Sequence, residues 1–361
     1  MKKIFALVLS SVLALSVFAG CAKTEEPAET PAETPVETPA EEPGEEEPGE
    51  EEPAEAGAIV KLGLGIKTSI GKSKDLTDGA ATGQVDSVIV AAGFDKDGKI
   101  VSVTIDTAQD KVGFDAEMKL TSDTAVEGKS KLELGDAYNM RGASGIGKEW
   151  NEQIEAFGAW MIGKTVEEVK ALELVDDVTT NEELTSSVTI KISGYISALE
   201  EAYANAIEVE GAEKVGLGVV TSIAKSKSME GETMAVAQVD TTVVATALKA
   251  DETIAGTFID VAQTKVEFDK DGKVTSDKAA DVKSKLELGD AYGMKGASGI
   301  KKEWFEQAKS LAEYMVGKKV ADVTGMELAE NVPTSEDLTS SVTIKVNGYL
   351  AALEKAGKNA R

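Results

Sequence analysis

Two short segments of the chain carry the residue types that could accept a chemical group, and they are identical. Gly142-Ala143-Ser144 returns as Gly296-Ala297-Ser298. Each serine supplies a hydroxyl oxygen, and the small residues before it let the backbone approach a ligand closely. An amphipathic segment follows each triplet, so we expect the triplet to precede a helix N-terminus, which suits phosphate through its unpaired N–H groups and positive dipole end. The alternative is that each serine only caps its helix.

The triplets lie within a 25-residue block that occurs twice. Residues 129–153 and 283–307 are identical at 21 of 25 positions. A shared fold requires only matching apolar positions, yet here Gly, Ser, Lys, Glu and Gln match as well. We therefore interpret the repeat as the duplication of a site as well as of a scaffold, which favours the ligand-binding interpretation over a simple cap.

The repeat extends far beyond the block at an offset near 154, which is the size of a whole domain. We predict two homologous tandem domains, residues 57–208 and 209–361, each large enough to bury its own core and to fold independently. Segments such as residues 105–115 and 259–269 match at the same offset.

The strand and helix patterns around each triplet predict an α+β fold, with an antiparallel sheet and several helices in each domain. Residues 84–109 read as a β-hairpin, and DKDG at 95–98 favours its turn over a calcium loop, because the rest of an EF-hand is missing. A helix is expected from Ile146 to Ile162, a capping box at Thr165 opens a short helix, and residues 186–206 predict a terminal helix.

The N-terminal part of the chain predicts export and membrane anchoring. Residues 1–20 combine two lysines with an apolar run, which is typical of a lipoprotein signal peptide, and Cys21 is then the lipidated residue. An ordinary secreted protein with an incidental cysteine is the alternative. Residues 21–56 form an acidic linker with seven prolines and 14 glutamates, which we expect to be disordered and extended.

Composition excludes several function classes. The chain has no histidine and only one cysteine, so histidine-dependent catalysis and thiolate metal or iron–sulfur sites are excluded. The net charge of −26 and the absence of a basic patch argue against a nucleic-acid partner. No Gly-x-Gly-x-x-Gly motif follows a strand, which argues against a flavin reductase with its own nicotinamide site.

With a lipidated cysteine, an acidic linker and paired DAYxM(R/K)GAS segments, the chain resembles the flavin-binding lipoproteins of Gram-positive extracellular electron transfer. The two domains are similar to the FMN-binding domain found in subunits of sodium-pumping and Rnf-type oxidoreductases. The resemblance implies that a flavin transferase joins FMN, through its phosphate, to Ser144 and Ser298. Arg141 or Lys295 would then add positive charge beside the phosphate, and Tyr138, Tyr292, Trp150 or Trp304 could stack on the isoalloxazine ring. Core packing is the alternative for the two tryptophans.

The resemblance also implies a role and a location. The protein would carry electrons at the outer face of the cytoplasmic membrane, anchored through Cys21 and reaching into the cell wall. It would accept them from a membrane dehydrogenase or quinol and pass them to extracellular acceptors such as free flavin or metal. We expect an electron-transfer protein rather than an enzyme with its own substrate. The alternative is a structural or ligand-capturing surface lipoprotein without a cofactor.

Overall fold

The computed structural model of the protein describes residues 58–361. The predicted signal peptide, Cys21 and the whole acidic linker lie outside the described residues. The two halves of the described part contain the same succession of long strands, short helices and terminal helix. The first half contains β1 (Ile59–Ser69), β2 (Lys74–Thr77), β3 (Ala80–Phe94), β4 (Ile100–Phe114), α1 (Lys131–Leu134), a 3₁₀ turn (Gly135–Tyr138), α2 (Trp150–Met161), α3 (Val166–Lys170), β5 (Leu174–Val175), β6 (Val178–Thr179), α4 (Glu182–Thr185) and α5 (Ser193–Ala204).

The second half repeats this order, preceded by one additional strand and lacking a counterpart of β2. Every pairing between its strands is antiparallel, as in the first half, so the α+β prediction is confirmed. It contains β7 (Ile207–Ala212), β8 (Lys214–Ser222), β9 (Val236–Leu248), β10 (Ile254–Glu267), α6 (Lys285–Leu288), a 3₁₀ turn (Gly289–Tyr292), α7 (Trp304–Met315), α8 (Val320–Thr324), β11 (Leu328–Ala329), β12 (Val332–Pro333), α9 (Glu336–Thr339) and α10 (Asn347–Asn359).

The predicted hairpin is confirmed as β3 and β4. The turn between them is fixed by Asp95, whose carboxylate accepts the backbone N–H groups of Asp97 and Lys99 at 2.9 Å each. Gly98 completes the turn with a φ of 77°, a conformation that glycine adopts without strain. The predicted capping box is confirmed as well, since the Thr165 side chain accepts an N–H from Glu168 at the start of α3.

Two helix predictions need correction. The helix expected from Ile146 begins at Trp150, because the chain between Gly145 and Gly147 turns, with Gly147 at a φ of 65°. The terminal helix expected over residues 186–206 is confined to α5, because its β-branched start is irregular and only the segment from Ser193 is helical.

Each main sheet is buried on both faces, which produces four layers. In β3, Val90, Ala92 and Phe94 pack in a cluster with residues of α2 and α5. The alternate residues Ile89 and Ala91 pack against the second sheet. The molecule therefore consists of helices, a sheet, a second sheet and a second set of helices, with the two sheets face to face.

The contact between the halves is self-complementary. Phe114 packs on Phe268, its own counterpart in the repeat, with ring centroids 5.2 Å apart. Gly83 likewise faces its counterpart Ala237. Hydrogen bonds between the halves also come in equivalent pairs. Leu120 N of the first half donates to Ser228 Oγ of the second, and the equivalent Val274 N of the second half donates to Asp75 Oδ1 of the first, both at 3.0 Å.

This arrangement bears on the predicted domains. Residues 58–361 cluster as one compact unit, and two of the hydrophobic clusters draw residues from both halves. Strand β7, which spans the predicted boundary at residues 208 and 209, pairs with β1. Independent folding of each half stays a prediction, and the shared core gives a physical reason to expect mutual dependence.

Candidate functional site

The loop between the 3₁₀ turn and α2 carries the first triplet, and an equivalent loop before α7 carries the second. The residue that caps α2 is Glu149, and Ser144 lies five residues before it. In the second half Glu303 caps α7 in the same way. The alternative that each serine serves as a helix cap is therefore wrong, and so is the expectation that the triplet itself abuts the first helical turn.

The buried carboxylate of Glu149 fastens the start of the loop to the helix. Its two oxygens accept the backbone N–H of Met140 at 2.7 Å and that of Arg141 at 2.8 Å. Burial alone would raise the pKa of Glu149, but these amide hydrogen bonds and the charge of Arg141 hold the pKa below its ordinary value. The carboxylate is thus ionised near neutral pH. The second half repeats both bonds at 2.8 Å, from Met294 N and Lys295 N to Glu303.

Each serine oxygen is held by a buried glutamine of the following helix. Gln153 Nε2 donates to Ser144 Oγ at 3.1 Å, and Gln307 Nε2 donates to Ser298 Oγ at 3.2 Å. Both glutamines are completely buried. Within residues 58–361, neither serine hydroxyl has a hydrogen-bond acceptor for its own proton, so each keeps an O–H that can be given up.

The same glutamines connect the serine loop to a second repeated segment. Gln153 Oε1 accepts the backbone N–H of Thr189 at 2.8 Å and its hydroxyl at 3.2 Å. Gln307 and Thr343 repeat this pair at the same distances. These residues were missed as site residues by the sequence analysis, although the glutamines belong to the repeated block and the threonines to SSVTIK, which also occurs twice.

The serine loops offer unpaired backbone donors and open space. In the part of the chain that the structure describes, the N–H groups of Gly142, Gly145 and Ile146 have no acceptor. A Cβ added at Gly142 or Gly145 would meet no atom within 4 Å. Ala143 N and Ser144 N instead donate to Met140 O, which folds the loop into a turn. The equivalent amides in the second loop are also without acceptors there: Gly296, Gly299 and Ile300.

The two cations of the site differ in their surroundings. Arg141 is half-exposed, and its guanidinium contacts Glu152 at 3.0 Å and Asp136 at 3.4 Å. Lys295, its counterpart, has no carboxylate within 4 Å among residues 58–361. Arg141 must therefore leave existing partners to neutralise a phosphate, whereas Lys295 carries uncompensated charge.

The tyrosines are half-buried and lie beneath lysines. Lys131 Nζ lies 4.6 Å from the Tyr138 ring centroid, and Lys285 Nζ lies 4.8 Å from that of Tyr292. The Tyr138 hydroxyl donates to Gln109 Oε1 at 3.4 Å. A planar ligand could reach these rings only where the lysine leaves a face or edge open.

The tryptophans belong to the core, which decides between the two interpretations of the sequence. Trp150 and Trp304 are each only 2% exposed. Their indole N–H groups donate to the hydroxyls of Tyr195 and Tyr349, at 3.2 and 2.8 Å. Stacking of either indole on an isoalloxazine ring is therefore wrong for this structure.

A polar network connects each tyrosine to a lysine in the turn that follows the first strand of the hairpin-bearing sheet, Lys72 or Lys225. Gln109 Nε2 donates to Asp86 at 3.0 Å, and Lys72 pairs with Asp86 at 2.8 Å. Burial opposes ionisation of Asp86, but hydrogen bonds from Lys72, Gln84 and Gln109 lower its pKa. The repeated Lys72 and Gln84-Val85-Asp86 segments therefore contact each other, and the second half has the same network around Asp240.

A second buried carboxylate in each half ties strand to helix. Asp106 accepts the backbone N–H groups of Thr107 and Leu132 at 2.7 and 3.1 Å. Burial raises its pKa to about 6 despite these hydrogen bonds. Asp260 repeats the arrangement, and its pKa is also raised by burial to about 6.

The prominent cavities lie away from the serine loops. One of about 430 Å³ lies between β4 and α2, and its equivalent between β10 and α7 has the same volume. A third, of about 320 Å³, lies between the halves. None of these three is lined by a residue of either triplet. The second-half groove is the more apolar, with Phe258, Leu286 and Phe305 in its lining.

Residues 58–361 contain no cluster of three or more acidic side chains arranged to hold a metal ion. No helix in this described range is both long and apolar enough to cross a membrane. No protein-family model matches the chain, and neither a curated protein nor a solved structure shows significant similarity to it.

Proposed function

We propose that the protein is a membrane-tethered extracytoplasmic flavoprotein that carries electrons, with one FMN ester-linked through phosphate to Ser144 and a second to Ser298. The observation that carries the proposal is the hydrogen bonding of the Ser144 and Ser298 hydroxyls. In each half the hydroxyl oxygen is held by a buried glutamine, the proton is without an acceptor in the described part of the chain, and the neighbouring amides are unpaired.

The donor set of the loop suits a phosphate ester. The N–H groups of Gly142, Gly145 and Ile146 would donate to phosphate oxygens, since they have no acceptor within residues 58–361. Lys295 would add a positive charge in the second loop, and Arg141 would do so in the first after exchanging its contacts with Asp136 and Glu152. Tyr138 or Tyr292 is the nearest aromatic side chain to consider for the ring, through the part not covered by lysine.

The bound flavin would supply the redox chemistry, and the protein would supply attachment and environment. In this proposal Cys21 carries the lipid and the acidic linker gives reach through the cell wall. Electrons would come from a membrane dehydrogenase or quinol and leave to free flavin or metal outside. A flavin transferase would load both serines.

The experiment is mass spectrometry of protein purified from its native host. We expect the two peptides that contain Ser144 and Ser298 each to carry FMN less one water. The double variant Ser144→Ala, Ser298→Ala should be colourless and folded, because each glutamine amide that loses the serine oxygen keeps the carbonyl of Lys148 or Lys302 as an acceptor. Protein-bound flavin of unchanged mass in the double variant would refute attachment at these serines.

The second candidate function is a surface lipoprotein that captures small ligands without a cofactor. The equivalent cavities of about 430 Å³ between strand and helix favour it, because they are separate from the serine loops. The absence of visible absorption from flavin in native protein, together with unmodified serine peptides, would decide for this candidate.

A further inference from the structure

The orientation of the Gln153 side-chain amide is determined by its neighbours. A backbone N–H can only donate, so the Thr189 N–H, at 2.8 Å, identifies the atom facing it as Oε1. The NH₂ group must then face Ser144 Oγ and Lys148 O, at 3.1 and 3.3 Å. The identical arrangement around Gln307 makes this a property of both sites.

We propose that Gln153 and Gln307 are positioning residues that orient the serine hydroxyls for attachment of the flavin phosphate. The inference rests on the proposed function. The glutamine N–H approaches one lone pair of the serine oxygen from the buried side of the loop. The O–H proton and the remaining lone pair are therefore directed towards the exposed side. A complete loss of solvent contact keeps each glutamine from rotating away.

The step that this orientation serves is a phosphoryl transfer. The serine oxygen forms a bond to the phosphorus of an activated FMN donor, which must be an anhydride of FMN with a second phosphate group. The P–O bond to that second group breaks, and it leaves with the bonding electron pair. The hydroxyl proton passes to a base of the transferase, and no group is oxidised or reduced. An N–H donor beneath the oxygen leaves this proton free, whereas an acceptor there would hold it.

The test is Gln153→Glu in the full-length protein, with loading of Ser298 as the internal reference. Glutamate keeps the acceptor for Thr189 but presents an acceptor to the serine, so the hydroxyl proton turns inward. We expect the initial loading rate at Ser144, relative to Ser298 in the same chain, to fall about tenfold at pH 7.5, equivalent to ~1.4 kcal/mol in the barrier. Quantitative peptide mass spectrometry after incubation with the transferase and a flavin dinucleotide measures the ratio.

A pH profile separates positioning from a structural lesion. At lower pH the introduced carboxyl becomes neutral and can again donate to the serine, so the ratio of the two rates should return towards the wild-type ratio at that pH. The dependence of the transferase on pH cancels, because both serines lie in one molecule. Gln153→Met has a similar length without a titratable group, and it should slow Ser144 loading relative to Ser298 by the same factor at every pH. It also replaces the glutamate variant if that variant does not fold.

Glu155→Gln is the matched control, because it makes the reverse exchange of a carboxylate for an amide on the exposed part of α2, two residues away. It should leave the ratio unchanged, and Gln307→Glu should reverse the effect by slowing Ser298 alone. Equal loading of both serines in folded Gln153→Glu protein would overturn the inference while leaving the proposed function intact. Failure of the wild-type protein to load either serine would instead refute the proposed function.

Discussion

The contact between Gly83 and Ala237 offers a test of the self-complementary packing of the halves. The two residues occupy the same position of the repeat, are fully buried, and face each other across the sheets. A Cβ added at Gly83 would lie about 1 Å closer to the Ala237 Cβ than ordinary van der Waals contact allows. One methyl group therefore fits between the two strands, and two do not.

The expected free-energy changes follow from this geometry. Gly83→Ala should destabilise the protein by about 2.5 kcal/mol, towards the upper end for overpacking, because a Cβ has no rotamer that relieves the clash. Ala237→Gly should cost about 1.5 kcal/mol, from one lost buried methyl group and the added freedom of a strand glycine. The double variant moves the methyl group to the other strand and should cost only about 1 kcal/mol, so the coupling energy is about −3 kcal/mol.

Urea unfolding of the four proteins, followed by circular dichroism, measures this cycle. The m-value should stay constant, so that the changes in midpoint report stability alone. Gly158→Ala is a useful control, since an added Cβ there meets its nearest neighbour at an ordinary 3.5 Å and the equivalent residue of the second half is already Ala312. Additive effects of the two substitutions, within about 0.5 kcal/mol, would refute face-to-face packing at this position.

Three further predictions concern charge, assembly and the linker. Burial raises the folded-state pKa of Asp106 and Asp260 to about 6, so both contribute stability below pH 4 that is lost as the pH rises to about 6. Asn at both positions should therefore flatten the dependence of the unfolding free energy on pH between about 4 and 6, and an unchanged dependence would contradict the prediction. Residues 57–208 expressed alone should associate in pairs through the exposed sheet face, whereas residues 209–361 would bring two copies of Ala237 together and should pair more weakly; light scattering that shows stable monomers of residues 57–208 would oppose this. Deletion of residues 25–54 should leave flavin content and potential unchanged but slow reduction of acceptors outside the wall in cells; an altered potential would show that the linker contacts the folded part.

Local signals predicted local structure well in this chain. The Asp95 turn and the Thr165 capping box depend on side chains that bond backbone groups two to four residues away, so their chemistry is complete within a short window. The predicted start of α2 was wrong because its cap depends on partners that are distant in the sequence. Glu149 was not recognised as the cap because its partners include the amides of Met140 and Arg141, which the loop brings back to it.

Non-local structure accounts for what the sequence did not predict. Residues 186–192 are not helical, and Thr189 among them donates its backbone N–H to Gln153 on α2 instead of to a residue of its own segment. The packing of the two sheets was missed, although the continuous apolar run VIVAAGF in β3 is typical of a strand buried on both faces. The serines were predicted from their repetition, whereas the glutamines beneath them became visible only when the contacts were known.

Joining the two halves in one chain lets equivalent positions carry different residues, which two identical subunits could not do. A homodimer built from either half would place two glycines or two alanines at the central contact, leaving a void or a clash. The single gene instead places glycine on one strand and alanine on the other, as Gly83 and Ala237. The same freedom lets Arg141 have acidic partners while Lys295 has none within residues 58–361, so selection can adjust each site without altering its twin.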